Sequence, residues 1–311
     1  MEYLCVDMGT SKCPCILMES GQCYTCDMIR SGKCDCGIHW QGVCPYTEYV
    51  SNNKEGARTT EERALIIKEV ECCSPTLTVI TIGTSIAFGM KCSEMGAFLM
   101  LKWKNWYVPI SVLKVDVDFS MGEAYVMLGI NASGPKTIGL LKEALVGETI
   151  TVKGPFFSGL VNSQKYNKDS LNIVIAKGIA LFPLINIKEK VGNGLVNFYI
   201  DESKLPKVFT EKFLKDIQYE TVCLENELED VARRIIEDYS FVLNHTKMKP
   251  NLFLMVSPYY KDELCGRIGK LEEDVIFPNH SNMCCGEGYC GSCSYTDAEG
   301  ITVRRCKCID K

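Results

Sequence analysis

The sequence predicts a multidomain α+β protein: an antiparallel β-barrel, then a parallel α/β domain, with a cysteine-rich segment at each end. Three observations carry this. Residues 63–157 hold short apolar stretches at close spacing with glycines between them, the pattern of a small antiparallel barrel. Beyond Lys168 strand-like and helix-like stretches alternate, as in a parallel sheet covered by helices. The nineteen cysteines segregate, eight in the first 44 residues and six in the last 28. The predicted divisions are residues 1–50, 62–160, 168–275 and 280–311, which suits a chain of 311 residues.

The first segment carries Cys5, Cys13, Cys15, Cys23, Cys26, Cys34, Cys36 and Cys44. From Cys13 a repeat of ten or eleven residues runs through Cys13-Pro14-Cys15, Cys23-Tyr24-Thr25-Cys26 and Cys34-Asp35-Cys36 to Cys44, with a glycine closing each unit. Apolar residues are few, so folding here calls on thiolate–metal bonds, which form only in the folded state. The ferredoxin run C-x2-C-x2-C-x3-C is absent. At least one [4Fe–4S] cluster is expected on Cys13, Cys15, Cys23, Cys26, Cys34, Cys36 and Cys44, with structural zinc and disulfides as the alternatives. His39, beside Trp40, reads as packing or surface. The polar stretch Val50–Arg58 marks the segment's end.

Barrel strands are predicted at Leu65–Val70, Leu77–Ile82, Ala97–Trp103, Val108–Val117, Ala124–Ile130 and Thr149–Lys153, interrupted by one short helix, Thr137–Leu145. In the α/β part, Leu171–Ala176, Val196–Tyr199, Tyr219–Cys223 and Leu252–Val256 read as strands. Leu224, Leu228, Val231, Ile235, Tyr239 and Val242 recur at helical spacing, and a second helix is expected around Lys261–Ile268. The most apolar run, Leu171–Ile187, contains Lys177, Gly178 and Pro183, so it reads as strand, turn and helix start rather than a membrane span. Cys72, Cys73, Cys92, Cys223 and Cys265 are scattered and read as buried thiols.

Near the end stands Met283-Cys284-Cys285-Gly286-Glu287-Gly288-Tyr289-Cys290-Gly291-Ser292-Cys293, followed by Cys306. Cys285, Cys290, Cys293 and Cys306 have the spacing C-x4-C-x2-C-x12-C of a plant-type [2Fe–2S] ligand set. Gly286, Gly288 and Gly291 suit a backbone that curls around a cluster and aims N–H groups at sulfur. Structural zinc usually wants paired C-x2-C knuckles, and one is present. Cys284 and Cys308 are extra neighbours, and Cys308 competes with Cys306 for the fourth position.

A net charge of −5 without a basic block argues against a nucleic-acid partner. Met1–Asp7 lacks the basic and apolar regions of an export signal, so a cytoplasmic location is expected, where dense cysteines read as metal ligands. Oxygen-sensitive clusters would suit an anaerobe. With three histidines, and no Ser/His/Asp or paired-carboxylate arrangement in view, no catalytic side chain is expected. Chemistry would belong to cofactors.

Further motifs lie between the ends: Val108-Pro109-Ile110-Ser111, Gly134-Pro135-Lys136-Thr137 with Leu140, Lys153-Gly154-Pro155-Phe156-Phe157-Ser158-Gly159, Ala176-Lys177-Gly178-Ile179-Ala180-Leu181-Phe182-Pro183 and Val256-Ser257-Pro258. In this order, and with the cysteine tail, the chain resembles the ferredoxin–NADP reductase superfamily. Within it, the nearest likeness is to the iron–sulfur electron-transfer subunit of two-component dihydroorotate dehydrogenases, over roughly residues 62–311. The resemblance implies a flavin-binding barrel, a nucleotide-binding α/β domain and [2Fe–2S] ligands at Cys285, Cys290, Cys293 and Cys306. It places FAD against Pro109, Ile110, Ser111 and Thr137, and a nucleotide phosphate at Gly178.

The chain departs from the family's pattern at several points. Val108 replaces the arginine that would pair with the flavin pyrophosphate, so FAD keeps only part of its wall. Lys136 replaces a glycine. One glycine, Gly178, remains of the nucleotide loop, and the added side chains argue against NAD(P) on this chain. Lys177 reads as a solvated lysine in a helix-start turn. The expected function is an electron-transfer subunit of an iron–sulfur flavoprotein complex. Its partner would be a flavoprotein or dehydrogenase subunit, with ferredoxin a further carrier, in a hetero-oligomer without membrane or nucleic acid. A complete FAD/NAD(P)H reductase and a non-enzymatic metal scaffold or redox sensor are the alternatives.

Overall fold

A computed structural model describes residues 3–34, 44–57, 60–187, 195–279, 283–296 and 299–310. Cys36 and His39 lie outside the described residues. The chain enters as a short strand β1 (Tyr3–Cys5) and three short helices, Ile16–Glu19, Asp27–Ser31 and Pro45–Ser51. Cys15, Cys26 and Cys44 each stand at the position just before one of these helices. Among the described residues, the units that begin at Cys13, Cys23 and Cys44 each place one cysteine at a helix start. Gly32 ends the second helix with φ +73°, a left-handed turn that a side chain would resist.

Six strands follow and close a barrel in the order β2-β3-β6-β5-β4-β7. They are β2 (Glu62–Cys72), β3 (Leu77–Ser85), β4 (Phe98–Trp103), β5 (Trp106–Asp118), β6 (Glu123–Asn131) and β7 (Thr149–Phe156). All neighbouring pairs are antiparallel, as predicted. The interrupting helix is Pro135–Glu143, and a second helix, Ile86–Cys92, stands where none was predicted. Ser85 starts that helix by accepting from the Phe88 N–H at 3.4 Å, and Phe88 and Cys92 turn into the barrel core. Its seven residues are too few to show a helical period in the sequence.

The second layer is a six-stranded sheet in the order β11-β10-β9-β12-β13-β8. Its strands are β8 (Leu160–Val161), β9 (Asn172–Lys177), β10 (Leu195–Asp201), β11 (Glu220–Thr221), β12 (Asn251–Met255) and β13 (Val275–Pro278). Five run parallel, while β8 pairs antiparallel with β13 and so ties residues of the predicted barrel segment into this sheet. From β9 the chain goes outward through β10 and β11, then returns to β12 on the other side of β9. This is the strand order in which ligands bind at the reversal point. β9 is buried on both faces, with Ile173 and Ile175 toward the helix Leu228–Thr246 and Val174 and Ala176 toward the barrel side. The long apolar run was therefore a central parallel strand followed by the helix Phe182–Asn186.

Barrel and sheet are joined by a core between them, distinct from the barrel's own interior. In β3, Ile80 and Ile82 point into the barrel, while Leu77 and Val79 pack with Leu181, Phe182 and Ile185. A strand with a period of two thus serves two cores at once. Gly129 on β6 makes room for Phe182: a Cβ there would stand 2.2 Å from the ring. Gly129→Ala is therefore expected to cost about 1–3 kcal/mol, the usual toll of overpacking. A lowered urea midpoint checks this, and an unchanged midpoint would contradict the shared core.

The scattered cysteines divide. Cys73, Cys92 and Cys265 are buried as expected, but Cys72, the last residue of β2, is exposed and Cys223, two residues past the end of β11, is half-buried. No helix among the described residues is long and apolar enough to cross a membrane. The chain ends in a hairpin, β14 (Ser294–Thr296) with β15 (Thr302–Arg304), and a last strand β16 (Cys308–Asp310) that pairs antiparallel with β1. The two cysteine segments, read separately in the sequence, are thus joined: Cys5 stands opposite Cys308, and Tyr3, Leu17, Tyr24, Val303 and Cys308 share a small core.

Candidate functional site

The C-terminal spacing has a simple structural cause. Cys293 immediately precedes β14, and Cys306 stands two residues beyond the end of β15, so the hairpin folds the two ends of the twelve-residue gap together. The Arg305 N–H donates to the Cys293 carbonyl at 3.1 Å and fixes the closure. The sulfurs of Cys293 and Cys306 are 3.2 Å apart. Cys285 and Cys290 come from the preceding loop, whose Gly286 and Gly288 have φ of +67° and +83°. A Cβ on Gly286 would press on Met100 at 3.3 Å, so this glycine serves both the turn and the close approach to β4.

Backbone N–H groups point at sulfur, as the glycine pattern predicts: Glu287 N–H donates to Cys285 Sγ at 3.3 Å. Contact with the Cys306 thiol pulls the Cys285 thiol down to about 4 and Cys293 to about 6. The same two contacts push Cys306 far up. Thiolates are the forms that bind a soft cation, so metal binding here would release the proton that Cys306 holds. Among the described residues no group of three or more His, Cys, Asp or Glu side chains takes a single-ion arrangement. The 3.2 Å pair is also tighter than the ~3.8 Å edge of a tetrahedron built on metal–sulfur bonds of about 2.3 Å, so it would spread on binding metal.

Cys308 does not join these sulfurs. It is buried on β16, facing the N-terminal segment. Cys290 is exposed, its sulfur 3.0 Å from the Ser292 hydroxyl, beside a Tyr289 that is 60 % exposed. The four thiols therefore have one solvent-facing edge and one buried edge.

The buried edge lies on the barrel. Phe98 and Met100 of β4 point outward and pack with Phe156, Met283, Cys293 and Cys306. Pro109 and Ser111 on β5 are the register partners of Met100 and Phe98, so these outward positions stand one strand away from the thiol loop. Ile110 points inward and lines the barrel core, leaving only its backbone for an outside ligand. Thr137 is occupied locally: its hydroxyl donates to the Gly134 carbonyl at 3.0 Å and accepts from the Gly134 N–H at 3.2 Å. Lys136 lies 4.8 Å over the ring of Trp106.

Two polar residues that sequence reasoning missed hold the loop down. The buried Ser158 hydroxyl donates to the Cys306 carbonyl at 2.7 Å, and the Asn279 amide donates to the carbonyls of Ser158 and Arg305, both at 2.9 Å. Ser158 lies in the Gly154–Gly159 turn noted in the sequence, but a lone Ser or Asn carries no signal of such a role. A buried ion pair, Lys153 with Glu287 at 3.0 Å, adds a third tie to β7.

At the reversal point of the sheet, Gly178 follows β9 with φ +61°. Lys177 is buried there, not solvated as predicted: its ammonium pairs with Asp201 at the end of β10, donates to Ser203 at 3.0 Å and lies 5.1 Å over Tyr260. The reason is register, since Lys177 and Asp201 are direct partners on adjacent parallel strands. On the other side of β9, Val256 and Pro258 line a cleft of about 270 Å³ together with Phe277, Asn279, Cys293, Tyr295 and Arg305. The cleft thus opens between the C-terminal edge of the sheet and the thiol loop.

At the N-terminal end Cys13, Cys15 and Cys23 line one cavity beside Cys5, while Cys26 is buried outside that lining and Cys34 is exposed.

No family model and no curated protein matches the chain. Solved structures do match it in fold. A ferredoxin NADP+ reductase from Neisseria gonorrhoeae with bound FAD and NADP has 13% identity and a TM-score of 0.50, covering 68% of this chain and 91% of that one. An NADH-dependent reduced ferredoxin–NADP oxidoreductase, solved for flavin-based electron bifurcation, has 16% identity and a TM-score of 0.53 over 78% and 86%. Phthalate dioxygenase reductase, described as a modular structure for electron transfer from pyridine nucleotides to [2Fe–2S], has 13% identity and a TM-score of 0.52 over 80% and 95%. The chain has the barrel-plus-α/β fold of these reductases.

Proposed function

We propose that the chain is the electron-transfer component of an iron–sulfur flavoprotein oxidoreductase. The observation that carries this is placement: Cys293 and Cys306 of the thiol loop pack on the outward face of the barrel, and Cys293 also lines the cleft at the C-terminal ends of β12 and β13. Cys285, Cys290, Cys293 and Cys306 would hold a [2Fe–2S] cluster, which supplies one-electron transfer when bound. Ser158 and Asn279 fix the Cys306 end of the loop, Glu287 and Lys153 fix the other, and the hydrophobic contact with Phe98 and Met100 keeps water from that edge. Exposed Cys290 and Tyr289 present the opposite edge to a partner, such as a ferredoxin or a dehydrogenase subunit in a hetero-oligomer.

FAD would lie along Pro109 and Ser111, one strand from the thiol loop. The pair Lys177–Asp201 supports a pyridine-nucleotide site on the partner, because it fills the end of β9 and β10 where a dinucleotide would be received. The two-component dihydroorotate dehydrogenase subunits remain the likeness that best fits this order of parts. A cytoplasmic location goes with it.

Anaerobic purification followed by titration with NADPH and NADH tests the reading. Bound flavin that neither nucleotide bleaches, but that a partner reductase does, is the expected result. Direct bleaching would favour a self-sufficient reductase, and zinc in both cysteine regions without iron would sink the electron-transfer role altogether.

A further inference from the structure

Four thiols at the other end of the chain converge on one cavity, and the reading above does not use this arrangement. Cys5, Cys13, Cys15 and Cys23 line it, with Asp7 and Tyr24. They arrive from three places: β1, the turn before the helix Ile16–Glu19, and the turn before Asp27–Ser31. Cys5 lies outside the ten-residue repeat and reaches the cavity only because β1 is held by β16, with Cys5 opposite Cys308.

A second observation points to a ligand. Tyr24 is 7 % exposed, and its hydroxyl is buried without a hydrogen-bond partner among the described residues, beside the Cys5 thiol. A buried O–H without an acceptor costs free energy, and a thiolate or sulfide in the cavity would accept its hydrogen bond. Lys307 is buried and paired with Asp7, which lines the same cavity, so the last strand's approach and the cavity wall are tied together.

We propose that Cys5, Cys13, Cys15 and Cys23 hold a second iron–sulfur centre, a four-thiolate [4Fe–4S] cluster closed by the last strand of the chain. This divides the N-terminal cysteines among the described residues: Cys26, Cys34 and Cys44 stay outside the set. It also brings the two ends into one redox unit. Cys306 of the C-terminal site and Cys308, opposite Cys5, are two residues apart, which spans at most about 7 Å along an extended chain. The assignment is independent of the [2Fe–2S] reading, and either can fail alone.

The test uses the full chain purified without oxygen, with iron, labile sulfide and zinc counted in the wild type and in Cys5→Ser, Cys26→Ser, Cys290→Ser and Cys308→Ser. Cys5→Ser is expected to lose about twice the iron that Cys290→Ser loses, while keeping the [2Fe–2S] absorbance. Cys308→Ser disturbs the same strand pair without removing a ligand and is expected to keep its iron, as is Cys26→Ser. Unchanged iron in Cys5→Ser would overturn the assignment. So would zinc in place of iron, or an equal loss in Cys26→Ser or Cys308→Ser.

Discussion

Cys306→Ser is expected to strip the C-terminal site of its iron and visible absorbance, whereas Cys308→Ser leaves both in place. The two cysteines are two positions apart and indistinguishable by spacing. Packing separates them. Cys306 is 1 % exposed, its sulfur contacts Cys293, and its carbonyl is held by Ser158. Cys308 has passed into β16 and faces Tyr3, Leu17 and Tyr24. A serine oxygen at 306 is a poor substitute for thiolate, which soft metals such as iron in clusters select. Absorbance and iron assays on both variants check this, and the reverse outcome would reassign the fourth ligand.

Asp201→Ala is expected to cost about 3–5 kcal/mol, because it leaves a buried ammonium without its counter-charge. The side chains of Lys177 and Asp201 are 7 % and 1 % exposed, and Asp201 also accepts from the N–H groups of Leu224 and Ser203 at 2.9 and 3.0 Å. Glu225, 3.7 Å from the same ammonium but largely exposed, should matter by less than about 1 kcal/mol when replaced by alanine. Burial alone would raise the Asp201 carboxyl, but the Lys177 ammonium, the Ser203 hydroxyl and the two N–H groups outweigh it and hold it below its ordinary value. A carboxylate depressed by folding stabilises the protein above its unfolded pKa, about 3.9, and that contribution fades as pH falls through the lower folded value. Urea unfolding from pH 7 to pH 3 should therefore show a larger acid-side loss in the wild type than in Asp201→Ala, where only the other depressed carboxylates such as Asp274 contribute. Equal stability of the two at pH 7 would mean that the pair is dispensable.

Much of this organisation was legible from local pattern. The barrel strands declared themselves because alternating residues serve two cores, and β9 because a parallel strand buried on both faces is continuously apolar. The gathering of Cys285, Cys290, Cys293 and Cys306 followed from spacing, since a hairpin closes the long gap. What the sequence hid depends on contacts between distant residues. The pairing of β1 with β16 joins positions about 300 residues apart, and no periodicity marks either three-residue strand. The burial of Lys177 rests on its register with Asp201, and the inward turn of Ile110 on strand parity, which a motif match does not record. Ser158 and Asn279 hold the thiol loop through single hydrogen bonds to backbone, a role open to any polar residue.

Electron paramagnetic resonance of the dithionite-reduced, anaerobically purified chain, beside its Cys290→Ser variant, tests the C-terminal thiol site most directly. Cys290 is exposed and its replacement leaves the packing on Phe98 and Met100 intact, so a lost signal reports ligation rather than unfolding. The expected result is a reduced [2Fe–2S] signal in the wild type that disappears in Cys290→Ser while bound flavin is retained. An identical signal in both proteins, or a wild type without iron at this site, would contradict the assignment.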